Sequence, residues 1–194
     1  MKKVLIALGI IAALAFWIGS KYNSIIPLDE NVKKSWAEVQ NQYQRRADLI
    51  PNLVNTVKGA ANFEQKTLTD VIEARAKATQ MKVDIDDLTP EKLQQYQAAQ
   101  GQLGSALGRL MMITENYPEL KANQNFLDLQ SQLEGTENRV TVARKDYNNS
   151  VEKYNNKVRR FPMNLFAGVF GMKTRTTFEA EAKAQTAPTV DFGS

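Results

Sequence analysis

The chain has 194 residues, 43% of them hydrophobic and 24% charged, which suits one folded domain plus a short additional segment. It contains no cysteine and no histidine, which excludes disulfides, thiolate chemistry, iron–sulfur clusters, histidine-based nucleophilic triads and the Glu-x-x-His pairs of a di-iron bundle. The net charge is only +4, half of it from Lys2 and Lys3, and no aromatic-interleaved basic stripe accompanies it, so no nucleic-acid partner is expected.

The first element is uncharged from Val4 to Gly19 (VLIALGIIAALAFWIG), between Lys2-Lys3 and Lys21. As a helix these residues reach roughly 24 Å, short of a hydrocarbon core of ~30 Å, and Ser20, Tyr22 and Asn23 extend them. Trp17 and Tyr22 suit the interface, and the lysines can snorkel. A cleaved signal peptide competes, with Ala13-Leu14-Ala15 as its small-x-small site. That cut would fall inside the apolar run, before Phe16-Trp17-Ile18, so a retained single-pass anchor over residues 1–23 is favoured. Lys2 and Lys3 on one side face Lys21, Lys33 and Lys34 on the other, which leaves its direction open.

Residues 24–162 read as all-α. Trp36, Tyr43, Ile50 and Val57 recur every seven residues, with Val32, Val39 and Leu53 at the companion position, which predicts a helix over about 29–59. Arg46 interrupts this stripe, and Pro51 should bend the helix rather than end it. Gly59 and Asn62 offer a break. A second helix, about 62–80, has Leu68, Val71, Ile72 and Ala74 as its apolar side. Thr89 and Pro90 form an N-cap signature for a third, about 90–116, that buries Leu93, Tyr96, Leu103, Leu107 and Leu110. Tyr117-Pro118 stops it. The fourth helix, from about Asn123 to Phe161, places Phe126, Leu133, Val140, Tyr147, Tyr154 and Phe161 at strict seven-residue intervals, with Leu129 and Ala143 beside them.

A single rod from Asp29 to about Gln80 would run roughly 78 Å, longer than either later helix can cover. A fold-back near Gly59 matches the lengths better. The expected architecture is an N-terminal transmembrane helix followed by an antiparallel up-down four-helix bundle; the alternative is three long helices, the first a Pro-bent rod. Residues 163–194 form an apolar segment, Met163 to Met172, too short to span a bilayer, and a flexible C-terminal tail whose last residues, 179–194, are small and polar and expected to be loosely held.

The residues also resemble the LemA family. Tyr22-Asn23, Trp36, Gln44-Arg45-Arg46-Ala47-Asp48-Leu49-Ile50-Pro51-Asn52-Leu53-Val54, Val57-Lys58-Gly59, Glu64 and Glu73-Ala74-Arg75 carry the likeness. It continues through Glu115-Asn116-Tyr117-Pro118-Glu119-Leu120-Lys121-Ala122-Asn123, Phe126 and Leu133-Glu134-Gly135-Thr136-Glu137-Asn138-Arg139. Ala143-Arg144-Lys145-Asp146-Tyr147-Asn148, Tyr154-Asn155 and Phe161-Pro162 complete it. The resemblance implies a bacterial, membrane-anchored helical bundle, pictured with a short outside N-terminus and the bundle in the cytoplasm. Some relatives are linked to organising or remodelling membranes. It brings no catalytic residues, no cofactor and no metal.

Three groups of residues stand out. Arg46 on an apolar stripe reads as a structural arginine paired with a carboxylate, with Glu115, Glu137 and Glu73 as candidates, rather than as an anion site. Gly101, Gly104 and Gly108, with Ala98 and Ser105, put small residues along one side of the third helix, which signals close approach within the bundle or contact between copies. Arg159 and Arg160 give the fourth helix a basic end, read either as ordinary helix-terminal charge or, with Leu165, Phe166, Val169 and Phe170, as a membrane-facing surface.

The function expected is a non-enzymatic, self-associating membrane scaffold at the bacterial cytoplasmic (inner) membrane. The alternative is an adaptor binding another membrane protein, such as an envelope protease. No small-molecule substrate is expected.

Overall fold

The computed structural model describes residues 2–59 and 63–179, and every regular element among them is a helix. In chain order these are α1 (Lys2–Asn23), α2 (Ile26–Lys58), α3 (Gln65–Gln80), α4 (Pro90–Thr114), α5 (Pro118–Lys121), α6 (Gln124–Arg159) and α7 (Met163–Phe166). None of the residues of α1 is buried, as an apolar helix requires if lipid rather than protein is to cover it. It is the one helix among the described residues long and apolar enough to cross a membrane.

Local chemistry explains the boundaries. Thr89 accepts a hydrogen bond from the Lys92 N–H at 3.3 Å, and Pro90 opens α4 without wasting a donor. Asn123 caps α6 in the same way through the Phe126 N–H at 3.3 Å. Pro51 lies inside α2, which continues past it to Lys58. Asn62, half of the expected break, lies outside the described residues. The fold-back is nonetheless present, because α3 packs on α2 and Arg75 donates to the Ala47 carbonyl at 2.8 Å. The single rod is therefore excluded.

Neighbouring long helices run antiparallel. Along α2 and α6, Trp36 meets Tyr147 (ring centroids 5.3 Å apart) while the later Arg46 meets the earlier Glu137. Along α3 and α4, Gln100 reaches Ala78 while Arg109 reaches Asp70. With 16 residues, α3 is about half the length of the 33-residue α2. The link to α4 supplies the missing half of that layer. Val83 in this link is buried, and its carbonyl accepts from Trp36 Nε1 at 3.1 Å and Gln40 Nε2 at 3.0 Å.

The core divides into two clusters. Val32, Trp36, Tyr43, Tyr96, Val140 and Tyr147 belong to the one nearer α1. Ile50, Leu53, Leu68, Leu103, Leu110 and Leu133 belong to the distal one. The heptad positions are buried as their spacing implies, with two exceptions. Ile72 is 46% exposed on the outer side of α3. Phe161 lies beyond the end of α6 and is 79% exposed, because the residue before a proline is driven out of helical geometry and the heptad ends there.

Leu133 is 7% exposed in the distal cluster. Leu133→Ala should cost about 2–5 kcal/mol, read as an earlier urea transition by circular dichroism in detergent; an unchanged transition would place Leu133 outside the core.

Candidate functional site: a polar layer, a groove and an anchor-side edge

Arg46 lies between the two apolar clusters. It is 3% exposed, and each end of its guanidinium is held. Nη1 donates to Glu137 Oε2 at 2.7 Å; Nη2 donates to the Gln100 carbonyl and to Gln100 Oε1, both at 2.9 Å. The Tyr43 ring lies 5.1 Å from the guanidinium carbon, a cation–π contact. Gln100 in turn donates to the Ala78 carbonyl at 3.3 Å, so four helices meet in one polar layer.

Two of the carboxylates considered for Arg46 lie elsewhere. Glu115 is exposed where α4 ends, and Glu73 is exposed on α3. Glu137 is the partner, yet its side chain is 57% exposed. The arrangement is thus a buried arginine reaching an acid at the surface, and not a buried pair. A long guanidinium stem permits this, and it leaves the carboxylate hydrated.

Glu137 can stay in water because the backbones of α4 and α6 approach each other only sparsely, although their leucines share the distal cluster. Between them runs a groove of about 460 Å³ with Arg46 and Tyr43 at its base. Gly101, Gly104, Ser105 and Gly108 line the α4 wall; Leu133, Glu134 and Glu137 line the α6 wall. A Cβ at Gly104 would sit 3.8 Å from Arg46 Nη1, whereas one at Gly101 or Gly108 would meet nothing within 4 Å. Gly101 and Gly108 therefore border open space, whereas Gly104 lies within ordinary contact distance of the arginine.

The second region is the end nearest α1. Beyond α6, Phe161, Leu165 (64%) and Val169 (82%) are exposed, and Phe170 is 37% exposed with its ring 5.0 Å from Tyr22 at the end of α1. Arg159 and Arg160 are exposed beside them. Phe166 departs from this set: it is partly buried and packs on the core.

Sequence reasoning missed the third region. Residues 173–179 run extended along α6. Asn155 and Arg175 exchange two hydrogen bonds of 2.8 Å, and Asn148 and Phe178 exchange bonds of 3.0 and 2.9 Å. Tyr147 donates its hydroxyl to the Thr176 carbonyl at 2.8 Å. Phe178 is buried against Trp36 and Tyr147.

Arg175 ties this segment down. Its guanidinium meets Asp29 on α2 and Asp86 in the α3–α4 link, both at 2.8 Å, and donates to the Ile85 carbonyl at 2.8 Å. Burial works to raise the Asp29 carboxyl, but hydrogen bonds from Arg175 and Lys33 outweigh it and hold it below its ordinary 3.8. A signal for this region existed in the paired Tyr147-Asn148 and Tyr154-Asn155, seven residues apart: each pair turns a ring inward and sets an amide beside it.

The chain matches the LemA family over residues 35–192. It is a member of that family. It is similar to magnetosome protein MamQ 2 of Paramagnetospirillum magneticum, at 24% identity over 94% of this chain and 73% of the relative. Magnetosome protein MamQ of Magnetospirillum gryphiswaldense is 24% identical over 95% of this chain and 75% of its own length. Protein LemA of Metamycoplasma hominis is 24% identical over 84% and 71%. These family names are not those of enzymes, and with the apolar α1 they indicate a membrane-associated helical protein.

Two outcomes follow. Arg46→Ala should destabilise by about 1–3 kcal/mol, because Gln100 loses its donors and a void opens, whereas Glu137→Gln should cost less than about 1 kcal/mol at its exposed position. Equal costs in urea unfolding would contradict the asymmetry. The folded-state pKa of Asp29 lies below its unfolded value, so its contribution is present above the ordinary 3.8 and is lost as pH falls through the depressed folded value. Asp29→Asn should flatten that acid limb; an identical acid limb in the variant would remove Asp29 as its source.

Proposed function

We propose that this LemA family protein is a non-enzymatic scaffold of a bacterial inner membrane, crossing it once through α1 and touching the same surface a second time through residues 161–170. The observation that carries this reading is the exposed apolar cluster of Phe161, Leu165 and Val169, with Phe170 against Tyr22 at the end of the anchor. Side chains of this kind, open to solvent beside a spanning helix and next to Arg159 and Arg160, suit an interface of acyl chains and anionic headgroups.

Two contacts hold the bundle at the bilayer where one would leave it swinging, and the rest of the molecule is then presented to other envelope components. Two of the relatives are named as magnetosome proteins. Self-association belongs to this reading. Sizing the full-length protein in detergent tests it, since a strict monomer would favour the adaptor role.

The surface contact is tested by flotation. Removing residues 1–23 takes away no buried side chain of α1, so a protein starting at Ser24 should fold. It should bind phosphatidylglycerol vesicles weakly, and less as salt rises. Leu165→Asp with Val169→Asp should lower that binding roughly tenfold or more. No flotation even at low salt would end the two-contact reading.

A further inference from the structure

A hollow of about 620 Å³, separate from the groove, opens where the anchor meets the bundle. Three stretches of chain wall it: Tyr22 to Asp29 around the α1–α2 junction, residues 85–89 with Lys92 at the start of α4, and residues 170–175 behind α7. Gly171 makes the third wall possible. Its φ of +68° lies in the left-handed region that favours glycine, and the Met172 N–H closes the turn on the Ala167 carbonyl at 2.8 Å. The chain thereby leaves the apolar edge at Phe170 and brings Lys173 to the same hollow.

The walls are graded in polarity. Toward α1 stand the rings of Tyr22 and Phe170, their centroids 5.0 Å apart. The deeper side is ionic: Arg175 Nη2 holds Asp29 and Asp86, both at 2.8 Å, and the Arg175 and Asp29 side chains are only 16% and 20% exposed. That network joins all three stretches, so it fixes the walls relative to one another.

Acids and bases balance in the hollow, with Asp29, Asp86 and Asp87 against Lys92, Lys173 and Arg175. Arg175 already satisfies Asp29 and Asp86. Asp87, Lys92 and Lys173 are exposed, and none of the three forms a salt bridge with another described residue. Two free lysines suit a phosphate, and one free carboxylate suits a cation carried beside it. Position narrows the source. If residues 161–170 meet the bilayer as proposed above, on which this inference rests, the hollow stands at headgroup level next to the end of α1. A lipid packed along α1 then extends its headgroup past Tyr22 into it.

We propose that this hollow binds the headgroup of a phosphatidylethanolamine lipid, its phosphate met by Lys92 and Lys173 and its ammonium by Asp87. A primary ammonium has three N–H donors, and its hydrogen bond to a carboxylate is of the strong, charge-assisted kind. A choline headgroup carries the same phosphate but no N–H, and a glycerol headgroup carries no cation. Selectivity among the three lipids follows from Asp87, and affinity for their shared phosphate from the lysines.

The test is a competition read by native mass spectrometry. Full-length protein in nonionic detergent is given equal amounts of phosphatidylethanolamine, phosphatidylcholine and phosphatidylglycerol. The ethanolamine lipid should be retained about tenfold over the other two. Asp87→Asn should reduce that preference to less than about threefold, whereas Lys92→Gln with Lys173→Gln should weaken all three lipids alike. These side chains are exposed and unpaired, so the variants should keep the natural circular dichroism. Equal retention of the three lipids, a preference for either competitor, or an ethanolamine preference that survives Asp87→Asn would each overturn the proposal. So would displacement of the lipid by an equal concentration of glycerophosphoethanolamine, which would assign the hollow to a soluble phosphodiester. Flotation of the protein starting at Ser24 separates this inference from the reading beneath it. Flotation without an ethanolamine preference overturns the headgroup site alone; a preference without flotation upholds the site and overturns the apolar edge alone.

Discussion

A guanidinium placed among apolar side chains costs several kcal/mol unless its donors are met, and that requirement shapes the middle of this bundle. Arg46 meets it by spanning the core: one end takes two oxygens of Gln100 on α4 and the other reaches Glu137 on α6. Apolar heptad layers can slide past one another by a repeat at modest cost. A planar fork with two fixed partners cannot, so this layer sets the register of α2 against α4 and α6. It also separates the Trp36–Tyr147 cluster from the Leu53–Leu133 cluster. Because α4 and α6 stand apart here, Glu137 stays hydrated, and Gly104 faces the arginine at a distance that an ordinary Cβ contact would fill. The groove is thus the counterpart of the buried charge.

The anchor-side half solves a different problem. Since α3 stops at Gln80, the bundle there has three helices where it needs four layers. The α3–α4 link and the extended segment 173–179 fill the deficit with irregular backbone, whose polar groups must still be satisfied. No strand lies beside them among the described residues, and side chains do the work: Trp36 and Gln40 for Val83, Asn155 for Arg175, Tyr147 for Thr176 and Asn148 for Phe178. Arg175 then joins α2, the link and the segment through Asp29 and Asp86. Both irregular pieces are held by the same wall of α2 and α6.

The helices were legible because a seven-residue repeat writes the buried face into the sequence, from Trp36 to Val57 and from Phe126 to Tyr154. Arg46 was legible for the converse reason, as a break in that repeat. Its partner was not, since Glu73, Glu115 and Glu137 are equivalent until the helices are placed in space. The glycines of α4 announced an absent side chain without saying whether a helix, an extended segment or water fills the space. Arg175 left no trace: residues 173–179 have no period, and a lone arginine among threonines carries no pattern to read. Interactions made by irregular segments depend on the finished bundle, which local spacing does not encode.

The placement of these parts also orders the molecule along its length. The anchor, the exposed apolar edge at 161–170 and the Arg175 junction share one end. The far end, with the α2–α3 turn and α5, lies a helix length away, about 50 Å for α2. Among the described residues the two most exposed large hydrophobic side chains outside α1, Phe161 and Val169, lie at the anchor side. An exposed apolar edge of this kind is a candidate contact surface, and it lies beside the helix that is long and apolar enough to cross a membrane. In the central layer Arg46, Gln100 and Glu137 are joined by hydrogen bonds that tie α2 to α4 and α6.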